Sequence, residues 1–317
     1  MALDAEIWGK DIQKNFYQGL DFLQYSIDQS EYIHGKLVHL PQAGGQPIVV
    51  KGRTVLPAPI LGRVDTEITY PIVDYTTNPQ VISDLETWQL TYPKRMELMG
   101  EHYSKLRDRI GHQALYEWAV SGAFDTNRII RTTGAAGGAL PPPALAGTAP
   151  TGNRRLITRS DIANLKVILD RDLVPQDERY LMMDFSMMNN DLLSIPEFIN
   201  SFNMGSVALP AGVIGRIYGF NVITYSYPIV YANTTPPTKR VLDSNTGMPT
   251  VSAADDCLAV LAWSRYSVAR AIGETKVYMD SELPEYYGDM ISAMQRFGAT
   301  IIRGDHKGTA ALVQAVV

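Results

Sequence analysis

Residues 36–75 read KLVHLPQAGGQPIVVKGRTVLPAPILGRVDTEITYPIVDY, and the mixing of β-forming residues with Pro and Gly in this stretch decides how the rest of the chain is read. The pattern predicts long, exposed, twisted strands joined by a turn at Gly44 and Gly45. Such a ribbon has almost no core, and two strands alone are marginal in water, so it needs a surface to lie on. Pro57, Pro59 and Pro71 interrupt its edges and hinder uncontrolled strand addition before that surface is reached.

Beyond the ribbon, Ser83 and Glu86 have capping-box spacing, which predicts a helix start, and Pro93 predicts a kink or restart near Thr91. Met96, Met99, Tyr103, Leu106, Ile110, Ala114 and Trp118 then follow steps of three and four. From residue 84 to about residue 120 this helix would measure roughly 50 Å, longer than a compact domain of this size needs. Ahead of the ribbon, residues 3–33 place Ile7, Phe16, Leu20, Phe22, Leu23 and Ile27 without a continuous stripe, the pattern of short helices on an extended arm.

Residues 131–155, RTTGAAGGALPPPALAGTAPTGNRR, read as a flexible loop. Ser160 and Asp161 are expected to cap a helix through Leu169, and residues 179–185 form a buried strand with a helix after it. Residues 212–226 give two short β runs split by Gly219. Ser252 with Asp255 predicts the cap of a helix over residues 257–272, CLAVLAWSRYSVARAI, central because it is apolar nearly all round and stopped by Gly273. Residues 286–317 predict a closing hairpin turned near 305–308. The fold class is α+β.

Composition bounds the function. At 317 residues, 45% hydrophobic and 19% charged, the chain can bury one or two cores. The start MALDAEIWGKD lacks the basic and apolar stretches of a secretory signal, and the longest apolar run, 257–263, is far short of a membrane span. A net charge of -5 and a pI near 5.6 disfavour a DNA-binding regulator, which must put Lys and Arg on phosphates, but not a container for DNA. Cys257 is the only cysteine, so there is no internal disulfide.

The motifs that carry chemistry fail one by one. His34, His39, His102, His112 and His306 form no compact ligand pair, and His34 and His39 have opposite faces of a predicted strand available, as surface or interface histidines do. No G-x-S-x-G elbow occurs. Residues 303–309, RGDHKGT, lack phosphate-loop spacing, and their Arg-Gly-Asp triplet reads as a turn. Asn233-Thr234-Thr235 matches a glycosylation sequon that a non-secreted chain never presents. Asp170, Asp172, Asp177 and Glu178 gather at a helix end, where solvated acids are ordinary. No catalytic, cofactor-binding or metal residue is assigned, and no enzyme is expected.

The order of parts resembles the Hong Kong 97 type of tailed-bacteriophage major capsid protein over nearly the whole chain. ERYLMMDFSMMNNDLL (178–193), GVIGRIYGFNVITYS (212–226) and GDMISAMQRFGATIIRGDHKG (288–308) are similar to that family's axial-domain strand, glycine-phenylalanine hairpin and closing peripheral strands. DTEITYPIVDYTTNPQVISDLE (65–86) is also similar to capsid proteins of crAss-like short-tailed gut phages. The resemblance implies an N-terminal arm over 1–35, an extended loop over 36–80, and a peripheral domain with a spine helix over 81–130 and 274–317. It further implies a flexible loop over 131–155 and an axial domain over 156–273.

It also implies hexamers and pentamers tiling an icosahedral head around double-stranded DNA, the ribbon on one neighbour and the arm beneath another. Many weak contacts of this kind gain strength through multivalency. A separate scaffolding protein, a portal and a decoration protein are the implied partners, the virion shell the location, and the host bacterial cytoplasm the place of assembly. Some members cross-link a loop lysine; Lys36 and Lys51 lie in the matching region and are expected to be ordinary solvated lysines. Removing residues 36–78 should leave a folded core that builds no shell. Two other readings stand beside this one: an encapsulin nanocompartment on the same fold, with an interior surface for cargo, and a cytoplasmic α+β enzyme whose site is assembled from distant residues.

Overall fold

A computed structural model of the protein describes residues 19–44, 48–54, 56–58, 60, 62–83, 94–142, 148–195 and 213–317. After a 3-10 turn at Asp21–Tyr25 come β1 (Ile27–Asp28), β2 (Ile33–His34), β3 (Leu37–Gln42), β4 (Thr66–Pro71), β5 (Val73–Thr76) and β6 (Gln80–Ser83). Helix α1 (Lys94–Trp118) is followed by β7 (Ile129–Arg131), β8 (Ala136–Gly138), β9 (Arg154–Arg155), helix α2 (Arg159–Arg171), β10 (Arg179–Met183) and helix α3 (Phe185–Asn190). The chain closes with β11 (Val213–Ile217), β12 (Phe220–Thr224), β13 (Val230–Ala232), β14 (Thr238–Lys239), β15 (Cys257–Ser264), β16 (Val268–Leu283), β17 (Gly288–Ile301) and β18 (Thr309–Val313).

Two sheets organise these elements. In the first, β16 and β17 pair antiparallel from Val268 with Ile301 outward, β1 lies parallel to β16, and β5 and β6 pair with successive parts of β17. Helix α1 packs on this sheet through Leu106, Ile110, Ala114 and Trp118, all buried, and the Trp118 indole N–H donates to Ala269 O at 3.0 Å. Its first turns run clear of the core, with Met96 73% exposed, so the apolar stripe read from the sequence is buried only from Leu106 onward. The expected helix start after Ser83 and the kink near Thr91 lie at 84–93, outside the described residues.

The second sheet runs β11-β12-β10-β15-β13-β14, with β18 between β15 and β7. It separates two cores. Along β15, Cys257, Ala259, Leu261 and Trp263 face one core with Trp118 and Phe297, while Leu258, Val260 and Ala262 face the other with Leu165, Leu169 and Phe220. Every residue of β15 is therefore buried.

That double burial corrects the helix expected over 257–272. The segment is strand β15, a short 3-10 turn at Arg265–Ser267, and the start of β16. A strand covered on both faces loses its alternation and reads as apolar all round. The expected hairpin over 286–317 is also corrected: the chain does turn at 302–308, but β17 and β18 belong to different sheets, and β17 forms its hairpin with β16. The expected boundary between 273 and 274 falls inside β16. Helix α2 begins two residues earlier than expected. Its cap is Thr158, in a capping box with Asp161, and not Ser160.

Candidate assembly surface

Strands β3 and β4 pair over six residues each, from Leu37 opposite Pro71 to Gln42 opposite Thr66. Their inner face is held by this chain: Val38 and Tyr70 are buried with Ile72 and Ala271, and the Tyr70 hydroxyl donates to Gln29 Oε1 at 2.9 Å. Burial pushes that hydroxyl's pKa upward. Where a turn at Gly44 and Gly45 was expected, the connection between the two strands is long. Residues 43–65 link the two strands, their described part carries no strand, and Gly45 lies outside the described residues.

The two ends of this loop are tied together at its base. Asp65 Oδ1 accepts the Gly44 N–H at 2.7 Å and Arg63 Nε–H at 2.6 Å, and these donors, Gly44 first, hold the carboxyl below its usual range. A Cβ at residue 44 would sit 2.0 Å from Val64 O, so only glycine lets the ends approach this closely. Beyond the tie, Ile48, Val49, Val50, Leu56, Ile60 and Val64 are all exposed, Val49 by 93% and Ile60 by 98%. Scattered apolar residues on a surface are ordinary. Six exposed aliphatic side chains within one loop are a concentration of apolar surface that the described part of the chain leaves uncovered.

The arm divides differently from expectation. Residues 1–18 lie outside the described residues, but Leu20, Phe22, Leu23 and Tyr25 are buried in this chain's own core, and Trp263 Nε1–H donates to Tyr25 O at 3.1 Å. So the segment at 20–25 needs no sister molecule to cover it. The extended loop is also shorter than 36–80, because β5 and β6 are edge strands of the first sheet. The far end of the β16–β17 hairpin exposes Tyr278, Met279, Tyr286 and Tyr287.

The polar side chains weighed in the sequence mostly hold the fold. Asp172 pairs with Arg128 at 2.5 Å, Asp170 with Arg179 at 2.6 Å and Glu178 with Arg265 at 2.7 Å, which puts three of the four acids at the α2 end into separate ion pairs. Arg303 bonds Asp305 within the turn, at 2.9 Å, and Asn233 Nδ2 reaches Asp255 at 3.2 Å. His102 and His112 are buried, and His306 bonds Asp125 at 2.9 Å. His34 and His39 stand on one face of the β2–β3 hairpin, not on opposite faces, because the hairpin folds them together. The local sequence carries no signal of that pairing beyond Gly35. A polar cleft of about 660 Å³ lies between α1 and residues 244–246, but its His102 bonds Thr77 Oγ1 and its Asp74 pairs with Arg296. Among the described residues no group of three or more His, Cys, Asp or Glu is arranged to hold a metal, and no helix is long and apolar enough to cross a membrane.

No protein-family profile and no curated protein sequence matches the chain. Solved structures do. The capsid of Ralstonia phage GP4 aligns with a TM-score of 0.61 at 10% identity, covering 99% of this chain and 96% of that one. The capsid of cyanophage Pam1 aligns at 0.59 and 13% identity, over 99% and 97% of the two chains, and the mature capsid of bacteriophage PhiM1 at 0.58 and 15%, over 98% and 91%. At such identities the likeness speaks for the fold: an α+β architecture of the phage-capsid type, from end to end.

Proposed function

We propose that this chain is the major shell subunit of a tailed-phage head, copies of which associate as hexamers and pentamers into an icosahedral capsid around double-stranded DNA. The loop 43–65 carries the reading. It is tied at its base and carries aliphatic side chains that the described residues of its own chain leave exposed, on a fold shared with phage capsids. Each copy offers one such loop and receives one, so small gains per contact multiply around a closed ring. The acidic balance suits a lining whose DNA is neutralised mainly by small cations. A separate scaffolding protein, a portal, decoration proteins and assembly in the host cytoplasm belong to the same reading, which assigns the chain no catalysis.

The test must spare the fold. Excising residues 36–78 would remove Val38, Tyr70, Ile72 and strand β5, which are core and sheet. Replacing only residues 46–63 with a short Gly-Ser linker keeps β3, β4, Gly44 and Asp65. The variant is expected to be soluble, with wild-type circular dichroism, and to give no shells in negative-stain microscopy when expressed with its scaffolding protein, under conditions where the wild type does. Normal heads from that variant would overturn the proposal.

A further inference from the structure

Strand pairing on the outer face of the ribbon assembles a group that the sequence disperses. His34 lies opposite Leu37, His39 opposite Thr69, and Pro41 opposite Glu67. Residues two apart on a strand share a face, so His34, His39 and Glu67 all stand on the outer one, while Ile33, Val38 and Tyr70 take the inner. The two imidazole rings have centroids 6.5 Å apart with planes at 52°. Glu67 Oε1 lies 2.5 Å from His39 Nδ1, with the two side chains 55% and 40% exposed.

We propose that His34 and His39 are the protein ligands of a divalent transition-metal ion, zinc being the reference case, and that Glu67 is the positioning residue that orients His39. A metal-bound histidine almost always donates its other ring N–H to a carboxylate or carbonyl, which fixes the tautomer and raises the basicity of the coordinating nitrogen. Glu67 already stands in that place. It holds the proton on His39 Nδ1 and leaves the Nε2 lone pair for the ion. Imidazole nitrogens suit Zn, Cu and Ni, bound to zinc at about 2.0–2.1 Å, so two rings on one tetrahedral ion have centres roughly 5 Å apart. The observed 6.5 Å is wider than that, so the exposed His34 side chain must swing toward the ion while Glu67 holds His39 in place. Water completes the coordination, since the described residues supply no third ligand. Of the other histidines, His102 and His112 are buried and His306 is engaged by Asp125, so this pair is the place on the chain where two imidazoles meet an incoming ion. An ion there would staple β2 to β3 toward the end of the ribbon away from the exposed loop.

The inference is independent of the shell reading. Its test is calorimetric titration of the full chain with zinc chloride in a non-coordinating buffer, with X-ray absorption at the zinc edge, on wild type and on His34→Ala, His39→Ala and Glu67→Gln. All three positions are on the outer face, and circular dichroism checks that each variant folds. One zinc per chain is expected, with absorption showing two imidazole ligands and a thermal midpoint that rises with zinc in the wild type. Affinity should fall at least tenfold in either alanine variant and about tenfold in Glu67→Gln. Absence of stoichiometric binding, a spectrum with fewer than two imidazoles, or binding unchanged in His34→Ala and His39→Ala would each overturn the proposal.

Discussion

His112 lies on the inner face of α1, 2% exposed, with the ring of Tyr225 edge-on at 5.2 Å. Burial pushes the imidazole down to about 4, although Asp108, whose Oδ1 is 3.9 Å from Nε2, pulls the other way. An unfolded histidine takes up its proton near pH 6.5. Between those values the unfolded state therefore binds more protons than the folded one, so stability is fully present above about pH 6.5 and falls as the pH falls toward 4. Asp191 works in the opposite sense: burial raises its carboxyl to about 6, so the folded state binds the extra proton between roughly pH 4 and 6 and gains from acid. Comparing wild type with His112→Leu isolates the histidine, because Asp191 is common to both. The wild type should lose about 2 kcal/mol more than the variant between pH 7 and pH 5, read from urea midpoints. Equal losses would mean that the imidazole is not held neutral by its surroundings.

Strand β15 shows why element type was less legible than position. Its apolar run was enough to make it central, and it is central, hydrogen-bonded to β10 on one side and β18 on the other. What the run hides is a period of two, since Cys257, Ala259, Leu261 and Trp263 meet one core and their neighbours the other. Strands β10, β11 and β12 were legible because Asp184 and Gly219 punctuate them, and helix α1 because its outer face is charged. The pairing of β17 with β5 was not, for it joins residues more than 200 apart in sequence. The crossing from β17 to β18 rests on one glycine. Gly308 has φ +87°, its N–H donates to Asp172 at 3.1 Å, its carbonyl accepts from Ser264 N at 3.0 Å, and an added Cβ would fall 1.8 Å from Ser267 Oγ and 2.8 Å from Ser267 Cβ. Left-handed strain and overpacking together predict that Gly308→Ala costs about 2–4 kcal/mol. Gly304, in the same turn with nothing within 4 Å of its missing Cβ, should accept Ala within about 0.5 kcal/mol. Chemical denaturation of the two variants checks the contrast, and similar losses in both would remove Gly308's special role.

For the whole molecule, the legible feature was the ribbon, since Pro, Gly and β-formers in alternation announce a segment without a core of its own. Its extent was less legible. The base strands are anchored by Val38, Tyr70 and Ile72 on this chain, and most of the exposed aliphatic side chains among the described ribbon residues lie beyond Gly44. The energetics of assembly should therefore rest on side chains that contribute nothing to the lone chain. Val49 and Ile60 meet that condition, at 93% and 98% exposure. Changing both to Asp removes almost no surface that the described residues bury, so the thermal midpoint of the unassembled protein should stay put. Burying an aliphatic side chain contributes about 1.5–3 kcal/mol, so losing two at each subunit contact removes about 3 kcal/mol or more. Since each 1.4 kcal/mol is a factor of ten, the concentration at which shells form should rise at least about 100-fold. Light scattering across a dilution series, with sedimentation to separate shells from free subunits, measures that threshold. If the double variant assembles at the wild-type concentration, the loop is not where copies hold one another; if instead the free subunit loses stability, those side chains are serving their own chain after all.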